Sequence, residues 1–361
     1  MLKEKLKQPM NIVCIGDVYV SADTMEDAIK ESNIPYKKIT KLFWGSKDRD
    51  VYAKEFLNIE RNGADAQPPA EGLEEACKDA DLIFTHVGPI PKRIIDNAKN
   101  LKIILTSRAG CEQIDVKAAS EKNIPVLNVI RNAEPVADFV LGLMIALTRN
   151  IVLSNRKILE GRWDKSFYNS DFSMTLNSYL VGLIGVGNVG TALAKRLEAL
   201  GVNVIAYDEY TTQDKLRKAG LKNIKLVDSL DELYEKSDIL SLHLRLTEET
   251  KETINKTCFK KMKNTAYFIN SARGGLVNND DLIKALEEKQ IAGAAIDVFE
   301  NEPLEEDSKL RSMENVILTT HIAGTTVDAV PKSPYLTIKE FNNWLKNDVT
   351  NRIVNLKDIK L

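Results

Sequence analysis

The stretch SYLVGLIGVGNVGTALAKRLEALGVNVIAYDEY (178–210) decides the fold. An apolar run from Tyr179 to Ile184 reads as a buried strand, and Gly185, Gly187 and Gly190 follow it at G-x-G-x-x-G spacing. Asn188 and Val189 open a helix rich in Ala and Leu, and a second apolar strand ends at Tyr207-Asp208. Gly185 permits a tight turn, Gly187 lets the backbone approach a pyrophosphate, and Gly190 lets the helix pack closely on the strand. The helix N-terminus offers free N–H groups and a positive dipole end to the phosphates. Asp208 lies 18 residues past the last glycine. A carboxylate there accepts both ribose hydroxyls of NAD and repels a 2′-phosphate. A bare glycine pattern is weak evidence. The strand, helix and acid around this one predict an NAD-binding Rossmann unit.

The same rhythm runs along most of the chain. NIVCIGDVYV (11–20), DLIFTH (81–86), KIILTS (102–107) and IPVLNV (124–129) are strand candidates, with helical patterns such as 91–100 and 115–123 between them. Strands alternating with helices predict parallel sheets covered on both faces. The pattern breaks at NAEPVADFVLGLMIALTRNIVLSNRKILEGRW (132–163), roughly two consecutive helices with little polar relief, which need covering by another domain or subunit. A second βαβ series runs to residue 324, and 328–347 reads as mostly helical and amphipathic. The expected fold class is α/β, with two doubly wound parallel-sheet domains.

Composition narrows the function classes. The 361 residues suffice for two domains with their own cores. With 43% hydrophobic and 28% charged residues, a net charge of −2 and a pI near 6.1, there is no bulk electrostatic case for nucleic acid or an anionic membrane. No apolar run approaches the roughly 20 residues of a spanning helix. Cys14, Cys77, Cys111 and Cys258 are scattered, and with only three histidines no metal-ligand spacing arises. No metal site and a reduced, cytoplasmic setting are the expectations.

Three further stretches follow the glycine motif: FINSARGGLVNNDDL (268–282), AAIDVFENEPL (294–304) and TTHIAGTT (319–326). In this order and spacing they resemble the D-isomer-specific 2-hydroxyacid dehydrogenases over nearly the whole chain, most strongly from 102 to 325. The resemblance implies a flavodoxin-like substrate domain built from both chain ends (1–131 and 325–361), with the Rossmann domain (132–324) inserted between them. It also implies a homodimer, with 132–163 at the interface.

The residues suit that chemistry on their own terms. Reducing a 2-oxo acid needs a cation for the carboxylate and ketone, and an acid for the carbonyl oxygen. The planar, permanently charged fork of Arg273 fits the first task. His321 fits the second, since an imidazole changes charge near neutral pH. Glu302, 19 residues earlier, can hydrogen-bond the second ring nitrogen and fix the tautomer. In formate dehydrogenase relatives a glutamine stands at this position, so the acid argues for proton transfer.

The resemblance places further residues at the cofactor: His243, Leu244 through its backbone, Ser271, Ala272, Asp297 near the nicotinamide carboxamide, and Ala323 and Gly324 beside the ring. Arg245 stands where the family has proline. TSRAGCEQID (106–115) resembles the loop whose backbone grips the substrate carboxylate, which makes Ala109 and Gly110 candidates. FTHVGPI (84–90) lacks the Arg-Ser pair of the phosphoglycerate dehydrogenases. His86 there is a candidate for a substrate hydroxyl or phosphate, and Cys111 is not read as an activated thiol. The expected activity is NAD-dependent interconversion of a D-2-hydroxy acid and its 2-oxo acid. Phosphoglycerate dehydrogenase is one form of it. A non-catalytic NADH-sensing scaffold of the corepressor kind is the alternative from another class.

Overall fold

Short apolar runs such as Leu82–Thr85, Ile103–Thr106, Ile239–Leu242 and Tyr267–Asn270 are buried on both faces and form the interior of parallel sheets, as their lack of polar alternation requires, while the polar run Tyr36–Phe43 lies at an edge and is largely exposed. The computed structural model describes residues 2–346 and 352–360, so Asn347, the last of the helical pattern expected over 328–347, lies outside the described residues. The chain divides into unit 1, Met1–Arg131 with Thr326–Leu361, and unit 2, Asn132–Thr325.

Unit 1 holds β1 (Met10–Gly16), β2 (Tyr36–Phe43), β3 (Leu82–Thr85), β4 (Ile103–Thr106) and β5 (Val126–Leu127). Their order is β2-β1-β3-β4-β5, all parallel, which is the flavodoxin-like arrangement. Val13, Ile15, Ile83 and Ile104 face one core, and Ile12, Cys14, Leu82, Phe84 and Leu105 the other. The helix Ser333–Lys346 returns to that second core, burying Ile338, Phe341 and Trp344.

Unit 2 holds β6 (Leu180–Ile184), β7 (Asn203–Tyr207), β8 (Lys225–Leu226), β9 (Ile239–Leu242), β10 (Tyr267–Asn270), β11 (Gly293–Ile296) and β12 (Val316–Leu318). The order β12-β11-β10-β9-β6-β7-β8 is the Rossmann order extended by one strand. Its switch point lies between β6 and β9, and open α/β sheets bind ligands outside the carboxyl ends of such strands.

The apolar stretch after residue 132 forms helices Ala133–Thr148 and Ile151–Leu159, bent by 62°. The first buries Val136, Ala137, Val140, Met144 and Leu147 in the same core as Val181 and Leu183 of β6, so unit 2 covers its inner face itself. Ile145, Ile151, Val152, Ile158, Leu159 and Trp163 remain exposed. Among the described residues no single helix is long and apolar enough to cross a membrane.

Candidate active site

The glycine turn sits at the end of β6. Gly185 has φ +92°, and a Cβ there would lie 2.8 Å from the His243 carbonyl oxygen, so the turn tolerates only glycine. A Cβ on Gly190 would come within 2.3 Å of the Gly185 oxygen, which is the close helix–strand approach that the motif requires. Gly187 N-caps the helix Asn188–Ala199, and open space lies where its side chain would be. Asp208 follows β7. Its carboxylate accepts the N–H of Val186 at 2.7 Å and of Tyr210 at 2.8 Å, so it also fixes the glycine loop. His243 follows β9, its Nε2 3.0 Å from Ser241 Oγ. Burial pushes its pKa down to about 4, leaving a neutral ring. Leu244 packs at the rim of the same core, and its side chain approaches Gly185.

Arg273 lies three residues past β10. Asn270, the last strand residue, clamps the turn. Its amide oxygen accepts Ala272 N–H at 3.0 Å and its Nδ2 donates to the Arg273 carbonyl at 3.0 Å. Arg273 Nη1 donates to the Ala272 carbonyl at 2.7 Å. Among the described residues no carboxylate pairs with this exposed guanidinium. A Cβ on Gly274 would lie 2.0 Å from the Phe299 carbonyl carbon, so the turn rests directly on the backbone that leads to Glu302. Ser271 Oγ is buried with no protein partner, an orphaned hydroxyl beside the turn.

Glu302 comes from the loop after β11 and His321 from the segment after β12. Glu302 Oε2 lies 2.8 Å from His321 Nδ1, and Oε1 accepts Phe299 N–H at 3.0 Å. The Glu302–Pro303 peptide is cis, and His321 has φ +55°, a conformation a histidine seldom adopts. Asp297 holds that conformation. It is wholly buried and accepts Thr319 Oγ1–H at 2.6 Å and the N–H groups of Ile322 and Ala323 at 3.0 Å each. Gly324 follows in the same segment, against Asn132 and Val136. Arg273, Glu302 and His321 therefore leave the carboxyl ends of three neighbouring strands.

In unit 1 the loop after β4 carries Ala109 and Gly110, and Asn128 Nδ2 donates to the Ala109 carbonyl at 2.6 Å. Burial, then Glu112, pushes the Cys111 thiol up to about 12, so it is not activated. His86 is buried with both ring nitrogens engaged, by Asp17 and Arg131. A substrate group would have to displace one of them. Neither partner stood out in the sequence, and neither did the clamp made by Asn270.

Residues 141–323 match the family of D-isomer specific 2-hydroxyacid dehydrogenases, NAD binding domain. The chain belongs to this family. It is 38% identical over 304 residues to a glyoxylate reductase of Thermofilum pendens, covering 82% of this chain and 88% of that one. It is 34% identical over 291 residues to a D-3-phosphoglycerate dehydrogenase of Methanocaldococcus jannaschii, covering 80% of this chain but only 54% of that longer one. Among solved structures, a glyoxylate reductase from Paecilomyes thermophila superposes with TM-score 0.67 at 25% identity, over 97% of this chain and 99% of that one. This 2-hydroxyacid dehydrogenase is an enzyme that uses NAD. The open space at Gly187 and the orphaned Ser271 hydroxyl fit such a cofactor.

Proposed function

We propose that Arg273, His321 and Glu302 carry out the interconversion of a small D-2-hydroxy acid and its 2-oxo acid. The carrying observation is the pairing of His321 Nδ1 with Glu302 at 2.8 Å, on the loops after β12 and β11, while β10 beside β11 presents an arginine with no carboxylate partner among the described residues. Bound NAD supplies the hydride chemistry. In reduction, Arg273 binds the substrate carboxylate and polarises the ketone, where a preorganised charge acts most strongly. His321 Nε2 gives a proton to the carbonyl oxygen. Glu302 holds Nδ1–H, so that Nε2 is the nitrogen left to face the substrate, and stabilises the imidazolium. In oxidation the same Nε2 takes the hydroxyl proton. We assign Asp208 to the adenosine ribose. His243, Leu244, Ser271, Ala272, Ala323 and Gly324 border the cofactor in this reading, and Asp297 borders it while holding the histidine segment. Ala109 and Gly110 belong to the substrate loop.

We also propose that the exposed apolar face of the helices Ala133–Thr148 and Ile151–Leu159 forms a homodimer interface, since apolar residues as exposed as Leu159 (80%) and Trp163 (79%) mark an interaction surface. Light scattering of wild type against Leu159→Lys tests this.

The function is tested by NADH oxidation over a panel of 2-oxo acids led by glyoxylate, hydroxypyruvate and 3-phosphohydroxypyruvate. Turnover of at least one, lost in Arg273→Ala, is expected. NADH binding with no turnover across the panel would overturn the assignment and favour a sensing scaffold.

A further inference from the structure

The glycine turn of unit 2 brings no charged side chain to a pyrophosphate. Between Gly185 and Gly190 stand only Val186, Asn188 and Val189, so the turn meets the phosphates with backbone N–H groups and the positive end of the helix Asn188–Ala199. β7 and β9 lie on either side of β6, and the segments after them border the turn. Over 185–190, 208–212 and 243–249 the charged side chains are Asp208, Glu209, Arg245, Glu248 and Glu249. The buried His243 ring is neutral. Four carboxylates and one cation thus surround the place where an anionic dinucleotide must settle.

That cation is placed by its neighbours. The His243 carbonyl oxygen lies 2.8 Å, and Leu244 Cδ2 3.3 Å, from where a Cβ on Gly185 would stand. His243 Cβ lies 3.9 Å from where one on Gly190 would stand. His243 and Leu244 therefore lean on the glycine turn from the β9 side, and Arg245 is the next residue. Its carbonyl accepts the Thr250 hydroxyl at 2.6 Å, and Thr250 Oγ1 accepts Thr247 N–H at 2.8 Å, which closes the segment into a turn. Leu246 rests on Gly275, 3.1 Å from where a Cβ there would stand, in the turn that presents Arg273. The backbone of Arg245 is thus fixed between the glycine turn and the Arg273 turn.

The guanidinium itself is uncommitted. It is exposed, and among the described residues the side chain has no hydrogen-bond or ion-pair partner, although Glu248 and Glu249 stand three and four residues away. Glu249 hydrogen-bonds Thr247 instead. Arg93, Arg162 and Arg217, which are also exposed, each pair with a carboxylate. A guanidinium with a fixed base, free donors and no acid suits an anion that arrives from outside. The resemblance puts a proline at this position, so the cation belongs to this chain and not to the family pattern.

The sheet order says which part of the cofactor it meets. A dinucleotide whose ribose meets Asp208 after β7 and whose nicotinamide meets Arg273 after β10 crosses β6 and β9 between them. The middle of the molecule, its pyrophosphate, then lies over those two strands. This path rests on the proposed roles of Asp208 and Arg273.

We propose that Arg245 is a cofactor-binding residue whose guanidinium pairs with the pyrophosphate of NAD and offsets the carboxylates around it.

Fluorescence titration with NADH and NADPH tests this without turnover. Arg245→Ala should keep the wild-type melting temperature, since the side chain has no protein partner to lose. It should weaken NADH about tenfold, the loss of one charge-assisted contact. The gap to wild type should narrow as salt is raised, because exposed charges are screened. Arg245→Lys keeps the charge and should recover more affinity than Arg245→Gln, which keeps a planar polar group without it. Wild-type NADH affinity in Arg245→Ala overturns the proposal, and if NADPH alone weakens, the cation serves a 2′-phosphate instead. A gap that persists at high salt, or Arg245→Gln binding as well as Arg245→Lys, overturns it in favour of stacking on the adenine. An inactive protein that shows the expected affinities counts against the catalytic roles of Arg273 and His321 and not against Arg245.

Discussion

His321 Nδ1 lies 2.8 Å from Glu302 Oε2, and the two residues come from loops after neighbouring strands. The backbone of Phe299 donates to the other Glu302 oxygen, so the carboxylate is held from two sides. Both side chains are partly exposed, and an exposed ion pair adds little stability. The pairing is better understood as control of a ring than as a contribution to folding.

Glu302→Gln therefore separates charge from shape. The amide still reaches Nδ1 but no longer stabilises an imidazolium. We expect reduction to slow by roughly 100-fold or more, within the 10²- to 10⁴-fold that a positioned general acid contributes, with the melting temperature nearly unchanged. In wild type, reduction and oxidation should respond oppositely to pH, because one needs the proton on His321 and the other needs it absent. Steady-state profiles in both directions check this, and an unchanged opposition in His321→Ala would contradict the acid–base role.

Arg273 has no acid partner among the described residues, so Arg273→Ala breaks no ion pair there. Its effect should fall on the reaction. We expect a loss of about three orders of magnitude or more in kcat/KM, as when a preorganised transition-state donor is deleted. Arg273→Lys should recover only part of it, because an ammonium cannot bind a carboxylate in two places. Kinetics with any 2-oxo acid that wild type reduces decides the matter, and near-wild-type turnover in the alanine variant would remove Arg273 from the mechanism.

Asp208 has two tasks. It accepts the Val186 and Tyr210 N–H groups and closes β7 where a ribose is expected. Asp208→Ala should weaken NADH by roughly tenfold, about 1.4 kcal/mol, and improve NADPH relative to NADH by removing the repulsive charge. Fluorescence titration with both nucleotides measures it. An unaltered preference would leave Asp208 as a loop brace alone.

Much of this was legible in the sequence because the chemistry restricts the residue types. Only glycine fits the turn at Gly185, and few residues do the work proposed for Arg273 and His321. What was not legible depends on contacts across the fold. The carboxylate of Asp297 is taken up by Thr319, Ile322 and Ala323, 22 to 26 residues away in sequence. Asp17 meets His86 only because β1 lies beside β3, although 69 residues separate them. Nor does the sequence show that Gly274 lets the Arg273 turn touch the 299–300 backbone. The stretch after residue 132 announced its apolarity, but not that its inner face would be covered by its own unit.

Two histidines give the stability a pH dependence. Burial lowers the pKa of both His86 and His243, the latter to about 4. The unfolded chain then binds protons that the folded chain refuses. Stability is complete above the unfolded histidine pKa near 6.5 and is lost as pH falls from there toward about 4. Asp17, held low mainly by His86 against its own burial, adds its loss only below the ordinary carboxylate range. The urea midpoint should be flat above about pH 7 and fall below about 6.5, and His243→Asn should lessen the fall. A midpoint constant down to about pH 4.5 would contradict the neutral, buried rings.

Gly274→Ala tests whether the Arg273 turn and the Glu302 loop act as one piece. The added methyl would overlap the Phe299 carbonyl carbon and lie 2.3 Å from the Glu300 nitrogen, so backbone must move. Overpacking of this kind costs about 1–3 kcal/mol, which lowers the melting temperature. The larger effect should be catalytic. Phe299 N–H holds Glu302, so shifting the 299–302 backbone disturbs the carboxylate that orients His321. We expect kcat to fall while the NADH Kd, set at β6, β7 and β9, stays within about twofold. Gly275→Ala is the control, because its Cβ would meet only the flexible Leu246 side chain, at 3.1 Å. If both variants lose kcat equally, the coupling between the two loops is not what Gly274 provides.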